Sequence, residues 1–184
     1  PQNGSNPRVS VCVPYHDLPE FLPQTLQSIS QNNYENVQVI VCDDGSSTVR
    51  GKQLFEELKR QYSGSDWLFI RQENQGVGRA RNHAAAQADG DYLVFMDADN
   101  VACPDMLEVM VRAMQHSRSD AMTCYFKAFS SNDSPRASTR PDFIYRPIGA
   151  AVPTLCLLEN TFGDANCILK RSAFQEVQGF RGPP

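Results

Sequence analysis

An α/β fold with a central, mostly parallel sheet flanked by helices is predicted, on three observations. Apolar runs and helical stripes alternate as β-α-β-α-β-α-β-α over residues 9–117, an order that gives parallel strands, right-handed crossovers and helices on both faces. Each of the four apolar runs ends in a polar cluster, and in a parallel sheet those ends share one edge. The length, 184 residues, is enough for one domain with a real core.

The elements follow in order. Val9-Ser10-Val11-Cys12-Val13 is a β-branched run ended by Pro14. Leu22, Leu26 and Ile29 recur at i, i+4 and i+7, a helical stripe. Val37 to Cys42 is a second strand, ended by Asp43-Asp44-Gly45-Ser46-Ser47; the serine pair suits a helix N-cap. Leu54, Leu58 and Tyr62 mark the next helix, and Trp67 to Ile70 a third strand. After Asn74-Gln75-Gly76-Val77-Gly78, Val77, Ala80, Ala84 and Ala88 share a helical face. Tyr92-Leu93-Val94-Phe95 reads as a buried fourth strand, and a helix starting at Pro104-Asp105 carries Met106/Leu107, Met110 and Met114 as core packing. The pattern then changes. Ala121 to Phe129 is expected as one strand, Ser130 to Arg140 as a mobile loop, residues 161–169 as strand-like and Arg171 to Val177 as a short helix.

Composition narrows the function. Net charge is −4 with no basic run, which argues against a nucleic-acid backbone as partner. No apolar stretch reaches 18 residues, so no membrane span is expected. The six cysteines (12, 42, 103, 124, 156, 167) include no Cys-x-x-Cys pair, so zinc is not expected. They read as reduced, mostly buried thiols, and a cytoplasmic setting follows.

The strand ends carry the chemistry: Pro14-Tyr15-His16-Asp17, Asp43-Asp44, then Gly76, Gly78, Arg79 and Arg81, and Asp97-Ala98-Asp99. An Asp-x-Asp by itself is short and common, and a helix cap plus a solvated carboxylate explains it. On one edge with the others it gains a second meaning. A flat wall, carboxylates for base or ribose, arginines for phosphate and carboxylates for a metal describe a nucleoside-diphosphate site. A multiply anionic ligand beside Asp97 and Asp99 would be repelled without a cation; Mg²⁺ or Mn²⁺, with their preference for hard oxygen ligands, would remove the conflict. No P-loop occurs, and Gly76-Val77-Gly78 is followed by Arg81 where a dinucleotide fingerprint wants Gly or Ala.

Four blocks carry a resemblance: Val9 to Pro14, Val39 to Ser47, Asn74 to Asn82 and Gly90 to Asp99, with a fainter fifth from Asn166 to Phe174 followed by Val177-Gln178-Gly179-Phe180. In this order the chain resembles the family-two glycosyltransferases of GT-A fold, which transfer a sugar from a nucleotide-diphosphate sugar with inversion. The resemblance implies a single GT-A-like domain over 1–184, with a nucleotide-sugar-binding half at 8–117 and the start of an acceptor-binding half at 118–184. It implies a metal-dependent transfer to an acceptor hydroxyl of a carbohydrate, lipid or protein, with UDP as the favoured nucleotide. Pro14 and the residues after it (Tyr15, His16, Asp17) look like the wall beside base and ribose. His16 stands where the family often has Tyr. Asp44 looks like the acceptor from the base and Asp43 like a brace of the turn. Gly76 lies on the loop beside the donor, Arg81 resembles the basic residue near the diphosphate and Arg79 a solvated helix residue. Asp97 looks like the ribose or sugar contact, with Ala98 between, and Asp99 like the metal ligand. The family's general base, an Asp in a Glu-Asp pair after Gly-Gly-Phe-Asp, has no counterpart after Gly179-Phe180-Arg181-Gly182. Asp164 is the one candidate substitute, and the expectation is a piece of a longer transferase, cut before its base. Parents in the family often carry membrane segments elsewhere, so the cytoplasmic face of a membrane is a compatible location. A nucleotidyltransferase and a non-catalytic nucleotide-sugar-binding domain remain as alternatives.

Overall fold

The computed structural model describes residues 6–129, 141–147 and 166–181. Its order is β1 (Val9–Tyr15), α1 (Leu22–Ser30), β2 (Val37–Asp44), α2 (Val49–Gln61), β3 (Trp67–Gln72), α3 (Val77–Ala86), β4 (Tyr92–Phe95), α4 (Met106–Ser117), β5 (Ala121–Thr123), β6 (Phe126–Ala128), β7 (Phe143–Tyr145), β8 (Cys167–Lys170) and α5 (Arg171–Glu176). A six-stranded sheet runs β3-β2-β1-β4-β8-β5. Its first four strands are mutually parallel and β8 is antiparallel to both neighbours. The predicted mostly parallel sheet is therefore present. Strand order reverses between β1 and β4, the switch point at which such sheets bind ligands.

Alternation along the strands divides two cores. Val9, Val11, Val13 and Tyr15 of β1 face α1, α2 and α4, with Leu22, Leu26, Leu54, Phe55, Leu107 and Met114. Cys12, Ile40, Cys42, Leu93 and Phe95 face α3, whose Ala80 and Ala84 let the helix lie close. Phe174 and Phe180 complete that second core.

Several expectations change. β1, β2 and β3 each continue two residues beyond the apolar run, because polar residues at the edge still find partners: Tyr15 pairs with Asp43, Asp43 with Arg71, and Asp44 with Gln72. Pro14 is tolerated inside β1 because pairing with β4 stops at Cys12, so its missing N–H falls where the strand has one neighbour only. The α2 cap is Thr48, whose Oγ1 accepts from the Gly51 N–H at 3.1 Å, and not the serine pair. Val77 is 52 % exposed; as the first residue of α3 it points off the edge, outside the Ala80/Ala84 face. The single strand expected over 121–129 is two, since β5 joins the main sheet and β6 pairs with β7 in a separate one. Of the five described cysteines, only Cys12 and Cys42 are buried, and Cys103 is exposed. The loop expected at 130–140 lies outside the described residues. Among the described residues, no helix is long and apolar enough to cross a membrane.

Candidate functional site

Alternation also distributes the carboxylates. Ile40, Cys42 and then Asp44 point to the α3 face, while Val39, Val41 and then Asp43 point to the other. Past the end of β4 the same beat continues: Leu93, Phe95 and Asp97 on the α3 side, Val94, Met96 and Ala98 on the α1 side.

Asp43 is fully buried. Its Oδ1 accepts the Ser46 N–H at 2.8 Å. Its Oδ2 has no hydrogen bond, and Arg71 Nε stands 3.4 Å away as an ion-pair partner. Asp43 thus braces the β2–α2 turn, as expected. Asp44, 4 % exposed, accepts from Gln72 Nε2 (2.8 Å) and from the backbone N–H groups of Gln75 and Gly76 (2.9 Å each). Its carboxylate holds the loop that enters α3.

Asp17 departs from a wall contact. It adopts φ 47°, and its carboxylate accepts the N–H and hydroxyl of Ser47 (both 2.8 Å) and those of Thr48 (3.1 and 2.5 Å). These bonds, Thr48's hydroxyl foremost, hold the Asp17 carboxyl well below the usual carboxylate range. Its own N–H donates to Ser46 Oγ at 3.0 Å, so two strand ends are tied together. Tyr15 lies in the core, its ring stacked 6.2 Å from Phe55 and its hydroxyl donating to the Gly51 carbonyl at 3.2 Å. Burial first, then Asp43, pushes its phenol up to about 12. Tyr15 therefore supports the edge from beneath and cannot form a wall on it. Pro14 is buried as well.

His16 is exposed at the edge. Its Nδ1 lies 2.9 Å from the Asp44 carbonyl and its Nε2 3.3 Å from Asn74 Nδ2. A carbonyl only accepts, so the proton sits on Nδ1 and Nε2 accepts from the amide. Gly76 adopts φ +87°, with no atom within 4 Å of where a Cβ would stand; the loop is open there, as close approach of a ligand requires. Arg79 is exposed.

Arg81 Nη2 meets Asp97 Oδ1 at 2.5 Å, with side-chain exposures of 14 % and 28 %. Ala98 is buried, and its carbonyl accepts from Thr25 Oγ1 at 2.8 Å, so its methyl packs in the core. Asp99 is exposed. The Asn100 N–H donates to the Asp97 carbonyl at 3.1 Å, closing a turn. Asp164 lies outside the described residues. Burial, then the charges of Asp44 and Asp43, push the Cys42 thiol up to about 12.

Thr25, Arg71 and Gln72 were not singled out in the sequence. Arg71 and Gln72 carried a readable signal, because they sit opposite Asp43 and Asp44 once β2 and β3 are aligned by their ends.

A family profile described as glycosyl transferase family 2 matches residues 10–178. This chain belongs to glycosyl transferase family 2. Among curated relatives, it is 27 % identical over 128 residues to glycosyltransferase GlyA of Streptococcus pneumoniae, covering 68 % of this chain and 18 % of that protein. It is 29 % identical over 124 residues to the putative glycosyltransferase EpsH of Bacillus subtilis, covering 66 % and 34 %. Among solved structures, S. aureus TarS 1–349 in complex with UDP superposes with a TM-score of 0.70 at 19 % identity, over 95 % of this chain and 50 % of that one. The mannosyltransferase PcManGT from Pyrobaculum calidifontis, in complex with GDP-Man and Mn²⁺, gives 0.70 at 21 %, over 95 % and 48 %. The sheet and its helices are those of the GT-A glycosyltransferases. This family-2 chain spans half the length or less of each of these four proteins.

Proposed function

We propose that the chain is the donor-binding part of an inverting, metal-dependent glycosyltransferase that takes a nucleotide-diphosphate sugar, with UDP as nucleotide. The carrying observation is the convergence of His16, Asp44, Gly76 and the Asp97–Asp99 turn on the switch-point edge of a family-2 sheet. The solved relatives carrying UDP or GDP-Man with Mn²⁺ support the ligand class. Residues 8–117 form the donor half in this reading, and the acceptor half begins at 118.

A divalent cation suits the residues. Asp99 presents a hard oxygen donor at the surface, without a partner among the described residues, and no cluster of three or more His, Cys, Asp or Glu side chains occurs there. A site with so few protein ligands fits Mg²⁺ or Mn²⁺, which keep waters and substrate phosphates in their shell. Asp99 would hold the ion, and the ion would supply charge neutralisation to the departing diphosphate. The chain's own part is to present an open loop at Gly76, to fix that loop through Asp44, and to hold Asp97 through Arg81.

Isothermal titration of the chain with UDP and Mn²⁺ tests this reading. Binding that requires the metal, and that falls at least tenfold in Asp99→Ala, is the expected result. No binding, or equal binding by that variant, refutes it.

A further inference from the structure

One contact of the donor edge leads away from it. Arg81 is held at two points: Nη2 on Asp97, and its guanidinium carbon 5.5 Å above the centre of the Phe180 ring. Its Nε is buried with no hydrogen-bond partner among the described residues. The side chain therefore depends on those two contacts for its place. Phe180, 99 positions further along the chain, is itself fixed with unusual care. Asn82, the residue after Arg81, donates from Nδ2 to the Phe180 carbonyl (2.8 Å) and accepts the Phe180 N–H on Oδ1 (2.9 Å). Gly179 adopts φ +74°, and a Cβ there would stand 2.5 Å from Asn82 Oδ1, so the turn fits a glycine and the amide together. The Phe180 ring packs edge-on against Phe95 (4.9 Å) and beside Phe174 (5.7 Å). Phe95, the last residue of β4, precedes Asp97 by two residues, and both lie on the α3 side.

We infer that Arg81 is a positioning residue for Asp97, and that the Gly179–Phe180 turn sets its position. The planar guanidinium then links the turn after α5 to the acidic turn after β4, beside the direct packing of Phe180 on Phe95. A lysine cannot replace it, because an ammonium lacks the flat face that stacks on Phe180 while a second nitrogen reaches Asp97. Displacement of the 179–180 turn would shift Asp97 without touching the donor.

The effect on donor binding rests on the reading of the site given above; the mechanical link does not, so the test has two arms. In the first, NMR of the ligand-free chain follows the Asp97 carboxyl carbon and the Arg81 Nε–H. Phe180→Leu and Arg81→Lys are expected to move the Asp97 signal, while Val109→Ser, on the exposed side of α4, leaves it in place. An Asp97 signal unmoved by a folded Phe180→Leu overturns the inference. Should that variant not fold, Asn82→Ser releases the turn with the aromatic rings intact and is read in the same way. In the second arm, UDP with Mn²⁺ is expected to bind roughly three- to tenfold more weakly to each single variant. The double variant is expected to bind no more weakly than the worse single one, and losses that multiply overturn the link. If the unaltered chain binds no UDP, the donor-site reading fails, and the first arm still decides this one.

Discussion

Replacing Asp44 by Asn removes one oxygen and one charge while keeping the shape, and the structure says what that costs. The carboxylate is buried and receives three donors: Gln72 Nε2 and Gln75 N–H on Oδ1, and Gly76 N–H on Oδ2. In the better orientation of the asparagine, its oxygen keeps the first two and its NH₂ faces the Gly76 N–H, donor against donor. The flipped amide is worse, since it opposes two donors at once. Turning the Gln72 amide would not rescue the flipped form, because the Gln75 N–H would still face the NH₂. One charge-assisted hydrogen bond is lost and the part-buried Gly76 N–H is left facing a donor, a cost of about 2–3 kcal/mol. For a chain of this size that lowers the melting temperature by roughly 5–10 °C. Urea unfolding followed by circular dichroism gives the value directly, and the loosened 75–76 loop should weaken UDP binding in parallel. A stability within about 0.5 kcal/mol of the parent, the range of an inert surface change, would refute the assignment of Asp44 as the loop's anchor.

Two further outcomes follow from the same contacts. Ser10 Oγ donates to Gln38 Oε1 at 2.6 Å and accepts the buried Gly90 N–H at 2.9 Å, so Ser10→Ala should lose about 1–3 kcal/mol in urea unfolding, with no change in UDP affinity beyond what stability explains. Asp17's folded carboxyl is depressed by its bonds to Thr48 and Ser47, so its contribution to stability is present above the unfolded carboxylate value near pH 4 and is lost as pH falls below it. Stability measured between about pH 5 and 2 should fall less steeply in Asp17→Asn, and identical slopes would show that the carboxylate is not what ties the two strand ends.

The sheet was legible because apolar period and punctuation agreed. Leu22, Leu26 and Ile29 are buried where the stripe places them, and so are Leu107, Met110 and Met114. The strand ends were less legible, since a run that stops at the first polar residue misses Asp43, Asp44, Arg71 and Gln72, which pair only because their neighbouring strands end in register. Which acidic residues serve the fold was legible for Asp43, which resembled a turn brace, but not for Asp17. Asp17 and Asp43 brace turns with bonds from residues about 30 and 3 positions away, and Tyr15 faces inward by the alternation that carries Val9, Val11 and Val13. The break between β5 and β6 left no local mark, because the two halves of an apolar stretch joined different partners.

β5 and β8 are hydrogen-bonded neighbours, although everything from Cys124 to Asn166 separates them along the chain. The ladder works as a clasp. Closing a longer segment costs only about 0.6 kcal/mol for each doubling of its length, so what hangs between the two strands can be exchanged or enlarged with little penalty to the sheet. The switch-point edge belongs to β1–β4, which precede the clasp. A lineage can thus redraw the clasped segment and leave the four parallel strands, with their carboxylates, as they stand.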